Sequence, residues 1–213
     1  TGEATATGFT GTLDGILGSG APASASVTTL TVNGDITTTT SGTSNFVAGV
    51  NAGNSIASGG NYNVTVGDEA GTAITTGDGN VAVGYTALDA NNTGYYNVAL
   101  GGYALSTNIS GVQNVAIGTN ALLTNTTNNN TAVGHDAGYA NTSGTITAIG
   151  YKALFSNVGG LGNTACGFTA LYTNDEGDNN TAVGQAALKL NTTGNNNAAV
   201  GLNTLDANTS GLG

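Results

Sequence analysis

The sequence predicts an all-β chain wound into a parallel β-solenoid, with about 17 residues in each coil. The first observation is a glycine that recurs as Gly49, Gly67, Gly84, Gly101, Gly118, Gly134, Gly150, Gly167, Gly184 and Gly201, in steps of 16 to 18 residues. The second is the phrase that surrounds it, as in Asn80-Val81-Ala82-Val83-Gly84 and Asn180-Thr181-Ala182-Val183-Gly184. The third is residue type: Gly, Asn and Thr are poor helix formers, whereas Val-Ala-Val phrases suit strands. Such a period is too short for helical-repeat units. It fits one solenoid coil that touches mainly its neighbours.

Residues 1–44 do not carry the repeat. They hold Leu13-Asp14-Gly15-Ile16-Leu17-Gly18, the single proline Pro22, and a strand-like alternation from Leu30 to Ile36. This stretch is too small and polar to form its own core and reads as a stem or connector, extended or short β. The repeat domain spans residues 45–213 as ten coils. The absence of Met and the Thr at residue 1 suggest a processed or truncated start, and Gly211-Leu212-Gly213 falls where another repeat would open. The expected rod therefore continues beyond residue 213. Ten coils at an inter-strand spacing of about 4.8 Å give roughly 45–50 Å.

Within a coil, offsets are counted from the key glycine. Offset −1 holds Val66, Val83, Leu100, Ile117, Val133, Ile149, Cys166, Val183 and Val200. Offset −3 holds Val64, Val81, Val98 and Val115, then Thr131, Thr147, Thr164 and Thr181. Alanine runs between them from Ala82 to Ala199. Side chains alternate along a strand, so offsets −1 and −3 share one face and alanine takes the other. The bulky columns are expected to fill the core, with Cys166 as a buried small hydrophobe among them. The alanine face is expected to lie against a second close neighbour. The glycines from Gly67 to Gly201 form the turns, and an Ala-Leu pair at +3 and +4, such as Ala121-Leu122, makes the coil's second side.

Asparagine marks the corners at −4 and +7, where its amide caps turns and can ladder from coil to coil. The coils over residues 127–159 are short, and Ile146 stands where asparagine is expected, so a local kink or narrowed turn is anticipated there. One coil offers only about three sizeable apolar side chains, worth roughly 1.5–3 kcal/mol each if buried. Ordering its backbone costs about 1–2 kcal/mol per residue. Association along the length of the rod is therefore expected to support it.

Composition narrows the function. Charged residues make up 7% of the chain, against roughly 25% in ordinary domains. The net charge is −10, with Lys152 and Lys189 as the only basic side chains apart from His135. Nucleic acid and anionic lipid both call for clustered Lys or Arg, so neither is an expected partner. No apolar run is long enough to insert in a membrane as a helix.

No catalytic residue, metal site or cofactor is expected. Cys166 has no nearby base, and the single His135 has no second His or thiol stacked beside it. The acids Asp68-Glu69 and Asp175-Glu176-Gly177-Asp178 read as solvated loop residues, because neither group repeats from coil to coil as calcium-binding rolls require. The Asn-x-Thr/Ser sequons at Asn91, Asn108, Asn125, Asn141, Asn191 and Asn208 follow from the corner pattern itself. The aromatics Tyr85, Tyr103, Tyr139, Tyr151, Phe168 and Tyr172, at variable offsets after the glycine, are the candidate receptor contacts, with interchain packing as the other reading.

The phrase Gly177-Asp178-Asn179-Asn180-Thr181-Ala182-Val183-Gly184, followed by Ala187-Leu188 and Asn191-Thr192-Thr193, resembles the repeats of phage tail-fibre proteins. Similar phrases occur in bacterial surface proteins carrying an endosialidase-type intramolecular chaperone. With a longer coil, the pattern also resembles the Asn-x-Val-Ala-Ile-Gly phrase of trimeric autotransporter adhesin heads. The resemblance covers residues 42–213, and Leu13 to Ile36 is similar to connector segments of marine phage fibres. It implies a homotrimer of left-handed parallel β-rolls about a threefold axis.

The function expected from this is a structural fibre on a virion surface, a tail-fibre segment that projects and presents a host-receptor-binding surface. Its expected partners are itself, other virion or fibre proteins, and a host cell-surface glycan or protein. The alternative is a secreted or surface-anchored bacterial trimeric adhesin or extracellular filament. An ice-binding solenoid needs two threonines per coil on one strand, and here Val81, Val98 and Val115 interrupt the threonine column.

Overall fold

A computed structural model describes residues 40–211. The connector phrases between Leu13 and Ile36 and the closing Leu212-Gly213 lie outside the described residues. Ten short strands follow one another: β1 (Phe46–Ala48), β2 (Val64–Val66), β3 (Val81–Val83), β4 (Val98–Leu100), β5 (Val115–Ile117), β6 (Thr131–Val133), β7 (Ile146–Ile149), β8 (Asn163–Cys166), β9 (Thr181–Val183) and β10 (Ala198–Val200). Each pairs in parallel with the next, giving one ten-stranded sheet in sequence order. The register repeats the glycine spacing: Val81 lies beside Val98, Ala82 beside Ala99 and Val83 beside Leu100. The chain is a β-solenoid whose coils are completed by turns and bends.

Asparagine closes each coil. Asn63 Nδ2 donates to the carbonyl of Gly77 at 2.8 Å, and Asn80 Nδ2 to that of Gly94 at 2.9 Å, so the start of the coil is tied to its own return. The side-chain oxygen looks to the next coil: Asn80 N donates to Asn63 Oδ1 at 2.9 Å and Asn97 N to Asn80 Oδ1 at 3.0 Å. A second ladder runs through the +7 corner, where Asn141, Asn157, Asn174 and Asn191 each donate to the asparagine one coil before at 2.7–3.0 Å. These amides are buried. Asn91 follows Ile74 instead of an asparagine, and neither of its side-chain atoms has a partner.

The strand faces are reversed from the sequence expectation. Ala82, Ala99, Ala116, Ala132, Ala148, Ala165 and Ala182 point inward and are fully buried, as are the leucines Leu88, Leu105, Leu122, Leu154, Leu171 and Leu188. The −1 and −3 columns face outward, with Leu100, Ile149 and Val183 exposed and Cys166 exposed among them. The reason is parity. Offset −4 lies on the same strand face as −2, and its asparagine amide must turn inward to close the coil. Alanine then faces inward beside it. The interior, already holding two asparagine columns and the leucines, has room for little more than a methyl group.

Two backbone features hold the corners. Gly118 has φ +129°, and a Cβ there would lie 2.6 Å from the backbone of Gly134 in the next coil. An L side chain meets both strain and a clash at that site. More unusual are the core leucines at +4, which sit in the left-handed region with φ between 50° and 54°. That conformation costs a non-glycine residue about 1–2 kcal/mol. The buried leucine side chain offsets it.

Where +4 is glycine, an isoleucine fills the vacated volume. A Cβ on Gly71 would lie 2.8 Å from Ile74 Cδ1, and one on Gly138 would lie 2.8 Å from Ile146 Cδ1 and 3.0 Å from Leu122 Cδ2. Ile146 therefore takes up the space that a leucine at 138 would occupy. The kink expected here is not a break in the sheet: Ile146 pairs with Asn163 and Thr147 with Thr164, in continuous register. Ile146 N still donates to Asn130 Oδ1 at 2.8 Å.

This complementarity is testable by urea denaturation. Ile146→Asn alone should cost about 2–4 kcal/mol through the cavity it opens, and Gly138→Leu alone about 1–3 kcal/mol through overcrowding. The double variant should be more stable than the sum predicts by about 1–3 kcal/mol. Simple additivity would show that the two positions do not share one volume.

Candidate interaction surfaces

Exposed apolar side chains form regular columns on the sheet face and on the flank after the key glycine. The first surface is the sheet face. In coils 2 to 5 the −3 column is all valine, Val64, Val81, Val98 and Val115, beside Val66, Val83, Leu100 and Ile117 at −1. In coils 6 to 9 threonine replaces valine at −3, and the companion column remains apolar as Val133, Ile149, Cys166 and Val183. One outward threonine per coil is half of the array that an ice-binding strand needs. A run of β-branched and leucine side chains held in register by a rigid sheet is a large contiguous apolar patch, of the kind monomeric proteins rarely expose.

The second surface is the flank that follows each key glycine. His135, Tyr151 and Phe168 stack at +1 in successive coils, with ring centroids 5.6 and 5.1 Å apart. Four residues later Tyr139, Phe155 and Tyr172 form a second stack, at 5.0 and 5.2 Å and within 19° of parallel. The coil repeat sets this spacing, because identical offsets in neighbouring coils lie one strand apart. Lys152 sits between the stacks, its Nζ 5.4 Å from the Tyr151 centroid and 5.0 Å from that of Phe155. Both rings present it with negative π-density.

Asp136 anchors this flank. It is almost completely buried; its Oδ2 lies 3.0 Å from His135 Nδ1 and 3.8 Å from Lys152 Nζ. Its other oxygen accepts a 2.9 Å bond from Asn120 Nδ2. A buried carboxylate is tolerated only when paired and hydrogen-bonded in this way. Two of the basic side chains thus serve one acid.

The six aromatics singled out by sequence fall into three groups. Tyr85 and Tyr103 form an edge-to-face pair with centroids 5.3 Å apart, and both are well exposed. Tyr103, with Glu69 beside it, raises the Tyr85 hydroxyl above its ordinary value. Tyr151 and Phe168 belong to one stack, Tyr139 and Tyr172 to the other. Each inner ring has its faces covered by its neighbours, so the stacks offer rims to a ligand more than open faces. Sequence reading did not single out Phe155, His135 or Lys152 as members of this surface. Equal offsets from the glycine were the signal that could have found His135 and Phe155; Lys152, at +2, shares no offset with the stacked rings.

Five of the six corner sequons are closed to modification in the folded chain, and the sixth, Asn208, is half-buried. Asn91, Asn108, Asn125, Asn141 and Asn191 are completely buried. Among the described residues, no group of three His, Cys, Asp or Glu side chains comes together as a metal site would require. The glycines from Gly67 to Gly201 lie at the bends that end each strand, all with φ between 125° and 146°. No protein-family model, curated protein or solved structure matches the chain.

Asp89 occupies the offset that carries the second aromatic stack further along. Burial pushes its carboxyl above the ordinary range, and its Oδ1 is buried with no partner. A raised folded-state value means that the folded chain holds the proton more tightly. That contribution to stability is fully present below the unfolded-state value and is lost as pH rises through the folded one. Asp89→Asn should therefore raise the melting temperature at neutral pH, with the gain shrinking as the buffer is taken below the carboxyl range. A gain that does not change with pH would show that ionisation of Asp89 is not its source.

Proposed function

We propose that this chain is a structural fibre protein, a segment of a phage tail fibre or related virion appendage that projects a stiff shaft and presents a host-receptor-binding surface. The observation that carries the reading is the outward sheet face, apolar at −1 from Val66 to Val200. A slim solenoid whose interior is mostly Ala, Leu and Asn gains little from its own core. Covering its apolar face with copies of itself supplies burial that the single coil lacks.

The copies form a homotrimer of left-handed rolls, sheet faces turned toward a threefold axis. The similarity of the repeats to trimeric fibre proteins supports this arrangement. The −3 column favours copies in parallel, since valine-rich coils then meet valine-rich coils and threonine meets threonine. Flanks and turns remain outside, available to other virion proteins and to a host-surface glycan or protein. The role is mechanical and adhesive, without catalysis. A bacterial trimeric adhesin or extracellular filament would use the same shaft. An outer-membrane anchor attached to the chain would point to the adhesin, a virion-attachment domain to the fibre.

Solution mass tests the assembly. Native mass spectrometry should give three times the chain mass, and the Cys166 thiol should react slowly with a maleimide in that particle. Leu100→Glu combined with Ile117→Glu would place unpaired charges in the covered face, at a cost of several kcal/mol each. The variant should dissociate to monomers whose Cys166 reacts at the rate of an open thiol. A wild-type monomer, or a trimer that leaves Cys166 fully reactive, would overturn this arrangement.

A further inference from the structure

Asp136 and Lys152 stand at the same offset, two residues after the key glycine, in coils 6 and 7. The register of β6 on β7 therefore holds their backbones one strand apart. Both turns are tied down: Asp136 N donates to the Thr119 carbonyl and Lys152 N to the His135 carbonyl, each at 3.0 Å. Both residues take left-handed backbone, with φ of 57° and 53°. Lys152 Nζ is held over Tyr151 and Phe155, and the same nitrogen is 3.8 Å from Asp136 Oδ2. Lys189, the other lysine, makes no ion pair among the described residues.

Each oxygen of the Asp136 carboxylate has its own donor. Asn120 Nδ2 holds Oδ1 at 2.9 Å, and His135 Nδ1 lies 3.0 Å from Oδ2, on the oxygen that faces the lysine. Asp136 is almost completely buried, whereas the His135 ring is half-exposed. The site thus combines a nucleophilic nitrogen, a carboxyl carbon shielded from water, a donor fixed on one oxygen and a proton carrier at the other. Amide formation calls for those parts.

We infer that Lys152 and Asp136 join in an amide bond that staples coil 6 to coil 7. The lysine ammonium first passes a proton to Oδ2, leaving a free amine beside a carboxylic acid. Nζ then attacks Cγ; the N–C bond forms and the C=O electron pair moves onto Oδ1, where the Asn120 amide stabilises it. His135 gives a proton to Oδ2 and regains one from the attacking nitrogen. The Cγ–Oδ2 bond breaks, water leaves, and the pair on Oδ1 closes the new carbonyl. One ammonium and one carboxylate become one amide and one water, so the step needs no oxidant or reductant and leaves the net charge unchanged. Free amines and acids condense poorly in dilute solution, but a well-oriented pair has an effective concentration of about 10⁵–10⁸ M. Burial of the carboxyl group keeps water from reversing the step. The bond carries tension across a boundary between coils that hydrogen bonds and packing otherwise hold alone. It goes beyond the fibre reading and holds for a monomer and a trimer alike.

The experiment is intact-mass spectrometry of the denatured full chain after it has been kept folded at neutral pH, followed by digestion with a lysine-specific protease. Lys152 and Lys189 are the only lysines, so the protease yields three pieces when both amines are free and two when Lys152 is bonded. The wild-type chain should be one water lighter than its sequence and give two pieces. Further cleavage at aromatic residues should release a branched peptide joining Asp136 to Lys152. Lys152→Arg keeps the positive charge and should retain the full sequence mass. His135→Phe keeps a ring against Tyr151, removes the proton carrier and should slow accumulation of the bonded chain about a hundredfold. A wild-type chain of full mass, a water lost with Lys152 still cleaved, or loss of ammonia in place of water would overturn the proposal.

Discussion

The inward-turned asparagine amide at offset −4 is the constraint on which the rest of this solenoid depends. One side chain does two jobs. Its Nδ2 ties the coil to its own return, as from Asn97 to the Gly111 carbonyl at 2.8 Å, and its Oδ1 receives the backbone of the next coil, as from Asn114 N at 3.0 Å. A hydrogen bond contributes only about 0.5–1.5 kcal/mol net, but leaving a buried partner unmade costs about 1–3 kcal/mol. The amide is therefore hard to replace. Once it points inward, strand alternation sends alanine inward and valine outward, and the distribution of apolar surface is settled.

That distribution decides which side chains meet solvent. An interior of alanine, leucine and asparagine packs densely but removes little apolar area from water per coil. The larger β-branched side chains are spent on the outside. In most sheets such an arrangement would be a liability. Here it is repeated in register over ten strands, which makes it a regular surface suited to another regular surface. The flanks differ: stacked rings around Lys152 line the turns along coils 6 to 8, and an open polar groove is lined by residues that follow the second stack in the chain.

The irregular coils obey the same rules. Gly138 and Ile146 look like separate departures in sequence. In the fold they exchange volume across one layer, leucine's space being taken from the asparagine corner. Asn91 stands outside the +7 ladder: neither of its side-chain polar atoms has a partner, and bonding from amide to amide begins only between Asn125 and Asn141. Each substitution in one coil is felt by the next.

The sequence by itself determined the period, the parallel stacking, the turn glycines and the asparagine corners, because each is a statement about spacing and residue type. It also divided every strand into two faces. It did not say which face was inside, since an alternation of period two looks the same from either side. Constancy was the overlooked cue: the column that never varies, Ala82 to Ala199, is the one confined by the interior, and the column that drifts from Val66 through Leu100 to Cys166 is free of it. Only the tertiary structure brought Phe155 between Tyr139 and Tyr172, set Lys152 over two rings and placed Asp175 and Glu176 at a groove. The stacked rings lie one coil apart, and Lys152 lies one and three residues from its rings. Whether rings stack or acids line a cleft depends on the three-dimensional path of the turns, which spacing alone does not specify.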